Sequence, residues 1–272
     1  MKRALAVLAM LSSLLPWGEV HAGSTCDEQQ VAPHKVAAAA QTALLAAAAL
    51  DQADAPVALI ARVGTDLSKH GLVYSHAGFA VRDHAHGPWT VVHLLNECGS
   101  DRSSLYAQGL VNFFSDDLVN QDLRIVWLKP DVAKRLAERL QQMPRHSLHH
   151  PRYSLIARPG SRDYQNSTAW VLEIMASALA DRTFHDRTTA YAFARNDSFV
   201  PDTIHIPYSK RVLGGIFSAN TVFTDHPVAT RLSGDYPIIT VRSIFRYLDQ
   251  AGYVERQHEW RNGRLLDEPG PA

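Results

Sequence analysis

The chain has 272 residues, of which 46% are hydrophobic and 20% charged. Those are ordinary globular proportions, and they exclude collagenous, coiled-coil and wholly disordered chains. Lys+Arg and Asp+Glu both number 27, a formal net charge of +0, which removes the broad positive field that non-specific nucleic-acid binding needs. Nucleic acid is therefore not an expected partner.

Residues 1–22 read as a signal peptide: Lys2 and Arg3, an apolar run over residues 4–15, then Val20-His21-Ala22 as a small-residue cleavage site. The run is too short to span a bilayer, and no later stretch is long and apolar enough to anchor the chain. The expectation is a soluble exported protein, periplasmic, with no transmembrane anchor after signal removal. Export bears on Cys26 and Cys98, the two cysteines of the chain. An oxidising compartment favours a Cys26–Cys98 disulfide tying the mature N-terminus to the middle of the fold. The competing reading leaves Cys98 as a free nucleophile.

In chain order, residues 36–49 are Ala-rich with Leu44 and Leu45 and predict a helix. Three short apolar segments, 57–63, 74–81 and 89–95, predict strands, with the turn-forming residues 82–88 joining the last two as a hairpin. Residues 123–128 predict a further strand and 131–143 a helix that Pro144 stops. Residues 145–152 read as a polar connection and 153–157 as a strand. Trp170, Val171, Ile174, Met175 and Leu179 recur at three- and four-residue intervals, predicting a helix over about 166–179. Residues 181–235 resist assignment, 238–241 predict a strand and 242–248 a last helix. One α+β domain over residues 23–262 follows, with a disordered tail over 263–272.

Three local features carry a functional expectation. His76 opens a strand in Y-S-H-A-G-F, His93 lies on the next strand in V-V-H-L, and Ser167 starts a helix in N-S-T-A-W-V. This order resembles the circularly permuted branch of the NlpC/P60 papain-like superfamily. There, a His on one strand and a second polar residue on the next are followed by N-C-x-x-[F/W]-V at a helix start. The resemblance implies an α+β fold with an antiparallel sheet packed against helices. It also implies a site in which Ser167 replaces the nucleophilic cysteine, His76 is the base and His93 orients it, with Asn166 and Trp170 as binding residues beside them. The passages V-A-L-I-A-R-V-G, D-L-S-K, Y-S-H-A-G-F, V-V-H-L-L-N and Y-Q-N-S-x-x-W-V-L-E also resemble an uncharacterised secreted proteobacterial family, domain of unknown function 2145, which brings no activity with it.

The chemistry is coherent in outline. A nucleophile at a helix N-terminus gains from the helix dipole, and an imidazole in hydrogen-bond reach can take its proton. Serine departs from the family's cysteine, and a hydroxyl reacts only beside a well-placed base. Two readings follow: a hydrolase or acyl/amide transferase acting on a cell-envelope substrate, or a non-catalytic binding or structural protein that keeps a degenerate cleft for a small-molecule, peptide or lipid ligand. Singly, His76 and His93 also read as buried core histidines, and Asn166-Ser167-Thr168 as a helix N-cap. His84 and His86, and His146, His149 and His150, lack the ligand spacing of a zinc site, so neither a metal nor a cofactor is expected.

Overall fold

The computed structural model describes residues 31–116, 118–141, 143, 147–217 and 219–266. The signal-peptide segment, Cys26 and residues 267–272 lie outside these, and so does His146.

A seven-stranded sheet forms the middle layer, in the order β4-β3-β2-β1-β5-β8-β9. Its strands are β1 (Val57–Arg62), β2 (His76–Val81), β3 (Thr90–Asn96), β4 (Ser103–Gln108), β5 (Leu123–Leu128), β8 (Val254–Arg261) and β9 (Arg264–Leu265). Every pairing between neighbours is antiparallel. β1 and β2 are buried along their whole length because helices cover both faces of the sheet. That explains why their sequences are continuously apolar and do not alternate with polar residues.

Side chains alternate across the sheet, and this divides the core in two. Val57, Leu59, Ala61, Phe79, Val92 and Leu94 point to one face, where α3 (Pro130–Gln141), α4 (Ser167–Leu179) and α8 (Val241–Gln250) pack. Ala58, Ile60, Ala80, Val91, Ile125 and Trp127 point to the other, covered by α1 (Pro33–Asp51) and α2 (Leu110–Ser115). α1 meets the sheet through Ala39, Ala43, Ala46 and Ala49, small side chains that permit close approach. α4 is buried on almost every side, as its nearly all-apolar composition requires. Its Trp170 ring stands edge-on to Phe79 at 5.5 Å between centroids; one such buried aromatic contributes about 1.5–3 kcal/mol.

The remaining elements are α5 (Arg187–Asn196), α6 (Tyr208–Phe217), α7 (Val228–Ser233) and a separate ribbon of β6 (Asp202–His205) with β7 (Asp235–Ile238). They occupy the stretch that resisted assignment. Three expectations need correction. Residues 153–157 form no strand, since this segment makes only isolated bridges, Arg102↔Arg152 and Tyr153↔Gln165. The strand expected at 238–241 ends at Ile238, because Thr240 turns out to begin α8 through a capping box with Ser243. The tail expected to be disordered from residue 263 instead starts with Arg264–Leu265, paired to β8. Asn262 and Gly263, at φ of 50° and 71°, make the tight left-handed turn of that hairpin.

The α+β class with an antiparallel sheet against helices holds.

Candidate functional site

β2 and β3 place His76 and His93 on the same face. Ala80 pairs with Val91, so His76 and Gly78 on one strand and Val91 and His93 on the other all point toward α2. Gly78 is a spatial necessity here: a Cβ at that position would lie 2.9 Å from the Cβ of His93. His76 Nε2 stands 2.9 Å from His93 Nδ1, and His93 Nε2 stands 3.0 Å from Gln108 Oε1 on β4.

The end of this chain fixes its tautomers. An amide oxygen only accepts, so His93 Nε2–H donates to Gln108 and its Nδ1 accepts from His76 Nε2–H. The lone pair of His76 then sits on Nδ1, which makes no hydrogen bond among the described residues.

Arg62, opposite His76 in the β1–β2 ladder, closes the cluster. Its guanidinium donates to the Phe113 carbonyl and to the Asp116 carboxylate and lies 4.6 Å from the Phe113 ring centroid. Phe113 packs on both imidazoles, with centroids 6.0 Å from His76 and 5.2 Å from His93. Burial first, then the Arg62 charge, holds His76 well below an ordinary imidazole and His93 down at about 4. Both rings are neutral at physiological pH. The sequence reading missed Arg62, Gln108 and Phe113. Gln108 was open to discovery through the alternation of S-S-L-Y-A-Q, had that segment been read as the strand that pairs with V-V-H-L.

Ser167 is elsewhere. α4 packs on the Phe79 face of the sheet, whereas the two imidazoles face Phe113 and α2. The expected triad is therefore split: the structure brings His76 to His93 and leaves Ser167 across the sheet from both. The reason is parity, since His76 and Phe79 are three positions apart on one regular strand and must point to opposite sides. Ser167 is buried beside Tyr153, whose phenol burial pushes up to about 12. No imidazole hydrogen-bonds the Ser167 hydroxyl among the described residues.

The two residues expected to bind ligand have structural work instead. Asn166 caps α4, its Oδ1 accepting from Ala169 N at 2.7 Å while its Nδ2 donates to the Leu155 carbonyl. Trp170 is fully buried and donates through Nε1 to the Ser147 carbonyl at 2.8 Å. Farther along α4, Glu173 is fully buried and takes hydrogen bonds from Gln165 and Arg187. Burial outweighs the Arg187 charge and raises this carboxyl to about 7.

Beside this cluster a cavity of about 360 Å³ is lined by His149, Arg162, His185, Asp186 and Arg187 among others. Asp186 is committed to the α5 N-terminus, accepting from Thr188 and from Thr189, and these bonds hold it down at about 2. His149 is tied to Ser103, and the His84 and His86 rings meet edge-on at 5.0 Å on the β2–β3 hairpin. Among the described residues no three His, Cys, Asp or Glu side chains gather to hold a metal. Cys98 follows β3, and the disulfide expectation falls on Cys26, outside the described residues.

No curated protein and no solved structure matches the chain. Residues 49–248 match a bacterial family, and the chain belongs to it: the family described as an uncharacterized protein conserved in bacteria, DUF2145.

Proposed function

We propose that this chain is an exported cell-envelope protein of permuted NlpC/P60 type that binds a ligand without acyl or amide transfer at Ser167. The observation that carries this reading is that α4, which Ser167 opens, packs on the Phe79 face while the histidine chain faces α2. A serine hydroxyl needs a base within hydrogen-bond reach to attack a carbonyl, and Tyr153, held protonated to about 12, cannot serve as one.

The family order of His76, His93 and Asn166-Ser167 supports descent from that superfamily. The tautomer-locked pair His76–His93, ending on Gln108, resembles the base and orienting residue of such a site with the nucleophile removed from it. A small-molecule or peptide ligand is the occupant we propose for the cavity beside α4 and α5, where Arg162 supplies positive charge. The leader over residues 1–22 supports export, and no helix among the described residues is long and apolar enough to cross a membrane. In the periplasm a Cys26–Cys98 disulfide would tie the mature N-terminus to the turn after β3.

The test is a serine-reactive fluorophosphonate applied to the mature protein, with Ser167→Ala and His76→Ala beside it. No labelling that depends on Ser167 is expected. Labelling of the wild type that disappears in both variants would restore the hydrolase reading.

A further inference from the structure

The seven-stranded sheet has two edges, and they are guarded differently. One ends in β9, two residues long, where Arg264 pairs with Arg261 of β8; short, charged edges of this kind resist further pairing. The other edge is β4, S-S-L-Y-A-Q, six residues with neither a charge nor a proline. From Ser104 to Gln108 it is half-buried.

The first residues of this edge fix where its backbone groups point. The Arg102 carbonyl accepts from Glu97 N, just past β3, whereas Ser103 N donates away from β3 to the Pro151 carbonyl at 2.9 Å. The Ser103 carbonyl points the same way and accepts from His149 Nε2–H at 3.0 Å. Backbone groups alternate along a strand, so the N–H and C=O of Leu105 and of Ala107 also point away from β3. Among the described residues these groups make no hydrogen bond. The chain's own residues 151–153 thus cover the start of the edge, through the antiparallel bridge Arg102↔Arg152, and leave the rest of it open.

The open stretch adjoins the cavity. His149 both bonds Ser103 and lines the cavity, and Leu105 and Ala107 pack on the same core as Leu148, another cavity residue. We propose that β4 takes an extended peptide as an added strand, its backbone bonded by the N–H and C=O of Leu105 and Ala107 and an adjoining side chain or terminus held in the cavity. An uncharged edge beside a side-chain pocket is the arrangement that strand addition uses, the backbone giving affinity and the pocket selectivity. The strand site rests on the cavity being a ligand site and commits that ligand to a peptide. A second copy is the poorer occupant. Antiparallel pairing of two β4 strands would bring α2 of each copy, which begins two residues after β4, against the Pro151 segment of the other.

The experiment is selection of linear peptides from a random phage-displayed library on the full mature chain, with the affinity of a selected peptide then measured. Ala107→Pro removes the outward N–H and leaves the β3–β4 ladder its bonds; it should weaken the peptide about tenfold or more, with unchanged thermal unfolding confirming that the variant folds. Amide hydrogen exchange of the wild type, which needs no variant, should find Leu105 and Ala107 fast in the free chain and slowed by the peptide. Selection of no peptide, or of peptides that bind Ala107→Pro equally and slow neither amide, overturns the proposal. Peptides that keep their affinity for Ala107→Pro and lose it for Arg162→Glu would overturn the added strand alone and leave the cavity as a ligand site. Slow exchange at Leu105 and Ala107 in the free monomer would assign the edge to residues 23–30 of the chain itself. A dimer that Ala107→Pro abolishes would assign it to a second copy.

Discussion

The two faces of the sheet bury polar groups in opposite electrostatic styles. Under α2 the cluster of His76, His93 and Gln108 is a line of neutral rings ending on an amide, with the charge of Arg62 discharged onto Asp116 and a carbonyl. Under α4 the cluster of Glu173, Arg187 and Gln165 is an ion pair in which burial contests ionisation and lifts the carboxyl to about 7. The first arrangement offers a proton acceptor with nothing beside it to activate. The second offers a hydroxyl, that of Ser167, on a face with no imidazole bonded to it. A motif that reads as one site in the sequence is thus two half-sites separated by the thickness of a sheet.

The contrast yields graded predictions. Glu173→Ala leaves the Arg187 guanidinium buried without its carboxylate, and a broken buried pair costs about 3–5 kcal/mol. Glu173→Gln keeps a hydrogen-bonding partner and should cost less, and urea midpoints of the two variants check the order.

The faces should also respond oppositely to pH. His93 is depressed from 6.5 to about 4, so the unfolded chain takes up its proton first. Its contribution is fully present above pH 6.5, declines as pH falls toward 4, and amounts to about 3 kcal/mol. His76, depressed by burial, acts in the same direction. Glu173 runs the other way: with its folded carboxyl raised to about 7, its contribution is full below the unfolded value of 4.5 and is lost as pH rises through 7. Urea midpoints across pH 4 to 7.5 should therefore show a shallower acid-side decline in His93→Asn and a shallower neutral-side decline in Glu173→Gln. An unchanged profile in either variant breaks the comparison.

A smaller effect is expected from Gly78→Ala. Its new Cβ meets the Cβ of His93 at 2.9 Å, and forced overpacking costs about 1–3 kcal/mol. On the opposite face Asn166→Ala removes the α4 cap and should cost about 1 kcal/mol. Both are read from the shift in urea midpoint at constant slope.

Much of the fold was legible where a single period dominates. β5 over residues 123–128 and α4 over 167–179 coincide with their apolar patterns because burial there has one geometric demand. β8 escaped notice because V-E-R-Q-H-E-W-R looks solvent-exposed. Yet Glu259 within it is fully buried, accepting from the Tyr74 hydroxyl at 2.8 Å and from Arg261, with Arg124 alongside at 3.7 Å. A charge satisfied by residues remote in the chain cannot be told from a solvated one by composition. That His76 and His93 lie on neighbouring strands was legible, but the register that brings their rings together was not, because it is set by the β2–β3 pairing. The separation of Ser167 was not legible either, because it depends on which face of β2 receives α4, and that is decided by Phe79 packing on Trp170 and not by any residue of the motif.

The separation of Ser167 from the two imidazoles is tested most directly by the pH dependence of iodoacetamide alkylation of Ser167→Cys, with and without His76→Ala. A thiol across the sheet from both imidazoles should react with a pKa that is the same in the two backgrounds, whatever the helix N-terminus does to it. A thiolate formed below neutral pH that is lost with His76 would contradict it and return serine and histidine to one cleft.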